Sequence, residues 1–469
     1  MPIDPKIFKA YDIRGIYPTQ IDEENFESII RAIYTFFSQE LNKRDFTIAL
    51  GRDMRVSSPV LFEVAKKALV ASGATVIDMG LTPTPTFYFA VLKYGYNVGI
   101  DITASHNPKE YAGVKFVRRE GDKIIKIGKS TGMDKIVQII SSGQFAPYTN
   151  DGKVVVKENV LEDEIKDAIK LFDISKLKAY RIACDPANGM GALYIKKLFE
   201  QIPGELIEMN FELDGTFPAH PADPLDFNNL IPLQDKVKKV KADLGIEPDG
   251  DGDRIFFIDE QAEVIPATSI SSLIAKEVLE KNSGQKIVVD IRYTRNVTDI
   301  VSKYGGSTYV SKVGHAYITE DVNREEAYFA GESSGHFYFR ATGGAESAVR
   351  VILFVLMEMS TTGKPISQIL KGLRTSYESG EFNFVLPEGL DSKKILQEVA
   401  EEYKDGKVSW LDGVAVDFPD WRLNIRTSNT EPLLRLNVES DDVKKTEEKL
   451  KILTERILST GAKPKDAGH

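Results

Sequence analysis

Three times in 469 residues the chain repeats one order of segments, and that order limits what it can fold into. Each copy begins with a short apolar, partly β-branched run ending in a polar turn, at residues 47–53, 181–186 and 286–292. A stretch with helical spacing of apolar residues follows at 60–70, 192–199 and 296–304. A second apolar run comes next, at 74–78, 205–209 and 307–310. Apolar runs this short, alternating with helical stretches, predict β-α-β units with buried strands. Any α/β chain alternates in some such way, so the loops must decide whether the copies are related.

Each copy continues to a third run, and there the polar residues change character. Residues 97–101 lead into Thr103-Ala104-Ser105-His106-Asn107-Pro108. Residues 242–246 lead into Asp249-Gly250-Asp251-Gly252-Asp253-Arg254, and 327–330 into Gly331-Glu332-Ser333-Ser334-Gly335-His336. Ligands of open α/β sheets bind beyond the carboxyl ends of strands. Three related α/β domains with mixed sheets would each offer one loop at an equivalent place. From about residue 381 the order changes to strand, helix, strand, hairpin, helix (382–386, 393–403, 414–418, 422–426, 433–438, 443–458), which suits a smaller α+β domain. The expected domains are 1–150, 151–255, 256–372 and 373–469. The polar end, 463–469, is expected to be disordered.

Composition narrows the function. The chain is 42% hydrophobic and 28% charged, with no apolar run long enough to cross a bilayer. Its net charge of -10 argues against nonspecific nucleic-acid binding. Met1-Pro2-Ile3-Asp4-Pro5-Lys6 lacks the charged-then-apolar order of a signal peptide, and a single cysteine, Cys184, excludes an intramolecular disulfide. A cytoplasmic protein without a membrane or nucleic-acid partner is expected. An acidic chain can still bind phosphorylated small molecules where positive charge is concentrated.

Asp249, Asp251 and Asp253 are separated by glycines, which lets the backbone turn all three carboxylates towards one hard cation. Unpaired, three such charges would repel. A calcium-binding EF-hand is the obvious competitor, with Glu260 at its twelfth position, but Arg254 occupies the place of its required glycine and residues 255–258 read as a strand. Ser105 has His106 beside it and Lys115 ten residues on. A serine needs a base, or prior phosphorylation, to act in group transfer. His106 can hydrogen-bond to a phosphate there, and Lys115 can supply charge or shuttle a proton. No Gly-x-Ser-x-Gly elbow supports a hydrolase triad. The Glu332 carboxylate can accept from two neighbouring hydroxyls, as on a sugar. Arg426-Thr427-Ser428-Asn429-Thr430 gathers the donors that hold a phosphate dianion. Arg14, in Tyr11-Asp12-Ile13-Arg14-Gly15, and His315 add cationic or titratable groups. Each loop taken alone can also be an ordinary polar turn.

Together, and in this order, the five motifs resemble those of the α-D-phosphohexomutases, the phosphoglucomutases, phosphomannomutases and phosphoglucosamine mutases. The resemblance spans roughly residues 7 to 458. It implies four domains around a central cleft: three related α/β domains and a smaller fourth. It implies an intramolecular phosphotransferase that interconverts hexose 1-phosphate and hexose 6-phosphate, with a phosphate carried on Ser105 and Mg2+ held by Ser105, Asp249, Asp251 and Asp253. A hexose 1,6-bisphosphate would be the intermediate and activator. His106, Lys115, Arg14 and His315 would serve the reacting groups, with Lys115 and His315 as candidate acid and base. Tyr11, Arg254, Arg292, Glu332, Ser334, His336, Arg426, Ser428, Asn429 and Thr430 would bind substrate. A monomer is expected, with a dimer as the alternative.

Dual-specificity members have methionine where this chain has Ser333, and glucosamine enzymes usually have glutamine there; Glu332, Ser334 and His336 are unchanged. Arg292 stands where some dual-specificity members have lysine, which keeps the charge but alters the hydrogen-bond geometry. The match is therefore best to mannose and glucose phosphates, with phosphoglucosamine as the alternative. A metal-dependent sugar phosphatase would need its nucleophile in the Asp249 loop and would leave Ser105 idle. A non-catalytic sugar-phosphate sensor would have little use for both Ser105 and the three aspartates.

Overall fold

The computed structural model describes residues 3–387, 389–427 and 433–465. The chain forms two compact units: one made of Met1–Pro224, Asn229–Val264 and His336–Ile366, the other of Leu225–Asn228, Ile265–Gly335 and Ser367–His469.

The first unit carries two mixed sheets. One runs in the order Ile13–Ile16, Tyr111–Glu120, Val98–Ile102, Thr47–Arg52, Thr75–Leu81, Lys153–Val156, with Lys123–Lys126 also on Tyr111–Glu120. Val98–Ile102, Thr47–Arg52, Thr75–Leu81 and Lys153–Val156 are parallel; the two strands on the other side are antiparallel additions. Val98–Ile102 is buried throughout, as an apolar run inside a covered sheet should be. The helix Glu23–Leu41 begins at Asp22, whose carboxylate accepts from Asn25 N at 2.8 Å, and ends at Asn42 in the left-handed region. Its Phe26, Ile29, Ile30, Ile33 and Phe37 recur at helical spacing and join the sheet's core. The other sheet places Tyr180–Cys184 between Gly204–Glu208 and Leu244–Pro248, both parallel to it, and adds Ile255–Ile258 antiparallel to Leu244–Pro248. The expected boundary at 255/256 therefore falls inside one strand. The hairpin Phe337–Phe339 with Ala345–Glu346 and the helix Ala348–Thr362 also belong to this unit, where Phe354 meets Phe172 edge-on at 4.9 Å.

In the second unit Lys286–Asp290 lies between Ser307–Ser311 and Phe329–Gly331, all parallel. A seven-stranded antiparallel sheet follows, in the order Lys407–Ser409, Val414–Asp417, Trp421–Thr427, Leu433–Ser440, Phe382–Val385, Lys463–Pro464, with Tyr377–Glu378 also on Leu433–Ser440. Ser392–Glu402 and Val443–Leu458 cover it. Three α/β domains and a C-terminal antiparallel-sheet domain are thus present.

The first helix of each repeat is Ser58–Ala71, Gly191–Phe199 or Arg295–Lys303. A second helix, unread in the sequence, precedes each third strand: Thr84–Lys93, Ile231–Val240 and His315–Arg324.

Candidate functional site

In the first unit the serine and aspartate loops meet. Ser105 follows the end of Val98–Ile102, is buried, and has φ of 52°, a conformation that strains a residue with a Cβ. Its N–H donates to Thr103 Oγ1 at 2.9 Å. Its Oγ lies 3.2 Å from His106 Nδ1 and donates to Asp249 Oδ2 at 3.3 Å. Burial, then the charges of Arg254 and Arg14, hold His106 well below the usual imidazole range, so it is neutral.

The carboxylates of Asp249, Asp251 and Asp253 converge, with ligand atoms within 4.8 Å of one another, all buried. Gly252, at φ of 80°, makes the turn. Asp249 Oδ1 accepts from the Gly252 and Arg254 N–H groups at 3.1 Å each. Lys115 reaches in from the strand Tyr111–Glu120 and donates to Asp251 and Asp253 Oδ2 at 2.6 Å each. Burial alone would lower the Lys115 pKa, but Asp251 and Asp253 override it and hold the ammonium charged. Burial likewise opposes ionisation of Asp253, yet Lys115 and His336 pull it well down. Asp249 goes up, through burial and the charges of Asp253 and Asp251. Asp251 Oδ1 is buried and accepts no hydrogen bond. That orphaned oxygen, in a buried set of hard oxygen donors, fits a divalent cation such as Mg2+.

Thr84 sharpens the arrangement. Its single hydroxyl is 2.8 Å from both Asp101 Oδ2 and Asp251 Oδ2. One hydroxyl proton serves one carboxylate at a time, so Thr84 links the two buried aspartates, and burial pushes the Asp101 carboxyl well up. Arg14, on the strand paired with Tyr111–Glu120, donates to Asp12 Oδ2 at 2.9 Å and Asn107 Oδ1 at 2.5 Å. Tyr11 is half-buried just before that strand. His336 Nε2 lies 3.3 Å from Asp253 Oδ1 and 3.4 Å from Arg254 Nε.

The remaining site residues lie in the second unit. Asp290 holds Arg292 through Oδ1 at 3.0 Å and Oδ2 at 3.1 Å, and Arg292 donates to Glu332 Oε1 at 3.2 Å. The Ser333 N–H and Oγ both donate to Asp290 Oδ2, at 2.6 and 2.8 Å. Ser334 is buried. His315 is half-buried and starts the helix His315–Arg324 rather than lying in a loop. Arg426 stands directly across the strand pair from Arg435, and Glu381 accepts from both, at 2.8 and 3.0 Å. Burial would raise the Glu381 carboxyl, but Arg426, Arg292 and Arg435 pull it down to about 2. Two guanidinium groups with one carboxylate leave net positive charge for an anion. Ser428, Asn429 and Thr430 lie outside the described residues.

Family models described as phosphoglucomutase/phosphomannomutase alpha/beta/alpha domains I, II and III and C-terminal domain match residues 5–147, 162–262, 267–377 and 381–454. A phosphomannomutase of Methanocaldococcus jannaschii is 36% identical over 462 residues, covering 98% of this chain and 99% of its own. The chain belongs to the α-D-phosphohexomutase family. It is an enzyme, an intramolecular phosphotransferase acting on a small sugar phosphate. A phosphomannomutase of Vibrio cholerae is also 36% identical, over 92% of this chain and 94% of its own, and a phosphoglucomutase of Neisseria gonorrhoeae is 32% identical, over 93% of each. A solved phosphoglucomutase/phosphomannomutase family protein from Burkholderia thailandensis superposes with a TM-score of 0.86 at 28% identity, covering 98% of each chain.

Several residues that hold the candidate side chains in place were not singled out from the sequence: Thr84, Asp101, Asp290, Glu381, Arg435 and a buried Lys126–Glu346 pair beside His336 and Asp253. Arg435 lay on an expected strand, but its place opposite Arg426 depends on the register that the sheet adopts. Asp290 stands two residues from Arg292, while Thr84, Asp101, Glu381 and the Lys126–Glu346 pair depend on contacts more distant in sequence.

Proposed function

We propose that the enzyme interconverts hexose 1-phosphate and hexose 6-phosphate, with mannose and glucose as the sugars, through a phosphate carried on Ser105. The observation that carries this reading is the buried meeting of Ser105 Oγ with Asp249, beside Asp251 and Asp253. The names of the phosphomannomutase and phosphoglucomutase relatives support the choice of sugars.

In the first transfer the P–Oγ bond of phosphorylated Ser105 breaks and a bond forms to the free O1 or O6 of the sugar monophosphate. The sugar hydroxyl passes its proton to a general base and the released Ser105 Oγ takes one from a general acid, giving a hexose 1,6-bisphosphate. The second transfer returns the other phosphoryl group to Ser105. Ser105, Asp249, Asp251 and Asp253 would hold Mg2+, which when bound offsets negative charge on the transferring group. Lys115 and Arg14 add positive charge there. His106, a neutral imidazole, hydrogen-bonds at the serine. Lys115, held as an ammonium by Asp251 and Asp253, is assigned the acid's part in the first transfer and His315 the base's, and the two reverse in the second. Glu332, Ser334, His336 and Arg292 orient the sugar, and Tyr11 and Arg254 contribute to its binding. Arg426, with Ser428, Asn429 and Thr430, holds the non-reacting phosphate. We assign a cytoplasmic, monomeric enzyme, for which the lone buried Cys184 is suited to a reducing compartment.

The test is turnover of mannose 1-phosphate, glucose 1-phosphate and glucosamine 1-phosphate with Mg2+ and a hexose 1,6-bisphosphate, repeated after chelation. Mannose and glucose phosphates should be isomerised, glucosamine phosphate poorly, and chelation should stop turnover. Isomerisation of none of the three would overturn the proposal. Preference for glucosamine phosphate would overturn the sugar assignment.

A further inference from the structure

Arg55 has been given no role so far, yet its side chain is one of the largest fully buried in the protein. Its guanidinium is spent on the serine loop. Nη2 donates to the carbonyl oxygens of Ser105 at 2.7 Å and Asn107 at 2.5 Å. Nη1 donates to those of Pro108 at 2.7 Å and Tyr111 at 3.2 Å. Nε lies 3.2 Å from Asp53 Oδ2, and Asp53 Oδ1 accepts from the Arg55 N–H and from Ser58 Oγ. One planar fork therefore fixes four carbonyls of the segment that carries Ser105, with its own orientation set by a buried carboxylate.

The surroundings leave that fork little freedom. The Phe217 ring lies 5.1 Å from the guanidinium carbon. A Cβ added to Gly215 would come within 2.5 Å of Arg55 Cα, and one added to Gly250 within 2.5 Å of the Ser105 carbonyl oxygen. The backbone of the aspartate loop thus presses on the same carbonyl that Arg55 holds. Ser105 pays for its φ of 52° with strain that something must offset. Because a trans peptide sets C=O and N–H antiparallel, holding the Ser105 carbonyl also turns the His106 N–H to the other side of the loop.

We propose that Arg55 is a positioning residue for phosphoryl transfer: through the carbonyls of residues 105, 107, 108 and 111 it holds Ser105 in the left-handed conformation that aims Oγ at the aspartates. This rests on the reading of Ser105 as phosphate carrier. Both terminal guanidinium nitrogens of Arg55 donate to backbone carbonyls of the serine loop, so it acts through that backbone. Lysine keeps the charge but cannot span four acceptors with a fixed fork. A misaimed nucleophile slows transfer, while the residues that bind sugar and distal phosphate are untouched.

The experiment compares wild type, Arg55→Lys and Arg55→Ala, the last with and without added guanidinium. Arg55→Lys should keep KM for glucose 1-phosphate within about threefold while kcat falls about 100-fold. Phosphate uptake from glucose 1,6-bisphosphate, read by intact mass, should slow in parallel. Hydrogen exchange should rise in the peptide spanning 103–111, and guanidinium should restore part of the Arg55→Ala activity. Wild-type kcat in Arg55→Lys would overturn the proposal. So would equal losses in KM and kcat with a lowered melting temperature and no local exchange change, which a general folding role predicts. If Arg55→Ala does not fold, the Arg55→Lys arms decide alone; if neither folds, Arg55 is a stability residue and the proposal fails. Absence of phosphate uptake by wild type would instead refute the phosphoserine reading, a result visible before any variant is made.

Discussion

At the scale of single residues, the site is a set of charges that make sense only in combination. Arg426 and Arg435 face each other across a strand pair, where like charges normally destabilise. Glu381 bridges them and is kept ionised by them, so the pair stays in place with one positive charge left over. Arg426→Ala should raise KM for a sugar monophosphate about 10- to 100-fold, the range for losing a charge-assisted hydrogen bond. Arg426→Lys should recover only part of it, because an ammonium lacks the fork. Steady-state kinetics at saturating Mg2+ would check this; a KM within twofold of wild type in Arg426→Ala would remove the arginine from the phosphate site. Arg426 itself was picked out from the sequence, because Thr427 to Thr430 beside it supply donors of the kind that hold a phosphate. Glu381 was not, since it lies 45 residues from Arg426 and 54 from Arg435, and only the sheet's register brings the three together.

At the scale of elements, short apolar runs made the parallel strands readable, and the loops at their carboxyl ends were found for the same reason. Thr84–Lys93 was missed because it is buried on nearly every side, so its apolar residues show no helical stripe. That helix supplies both Thr84 and Thr86. Thr86 Oγ1 donates to Glu164 Oε2 at 2.5 Å, on the helix Val160–Ile169. Burial pushes the Glu164 carboxyl up to about 7, against the Thr86 hydrogen bond and the charge of Arg350 and with that of Asp167. A raised carboxyl pKa favours the folded state fully below its unfolded value, near 4.5, and loses that contribution as pH rises through about 7. The loss is of order 3 kcal/mol. The melting temperature of Glu164→Gln relative to wild type should therefore climb between pH 4.5 and 7 and level off above. Thermal melts across that range would show it; a difference independent of pH would mean that Glu164 ionises normally.

At the scale of the whole molecule, three α/β domains each bring one loop to the end of a third strand, and a fourth domain brings an arginine pair. The threefold order of segments made the three related domains legible in the sequence. Where the compact units divide was not legible, because it turns on contacts such as those of Ala348–Thr362 with the first unit, far away in sequence. The serine loop and the aspartate loop, 144 residues apart between Ser105 and Asp249, were linked by motif order alone; their contact at 3.3 Å supplies the physical reason. Everything in the proposed reaction depends on that contact placing a phosphate on Ser105. The most direct measurement is intact mass after incubation with a hexose 1,6-bisphosphate and Mg2+, for wild type and Ser105→Ala, with turnover measured on the same samples. Wild type should gain a single phosphoryl group and turn over, while Ser105→Ala should gain none and lose activity by at least about 1,000-fold. A phosphoryl group retained by Ser105→Ala, or turnover that survives in it, would contradict the account.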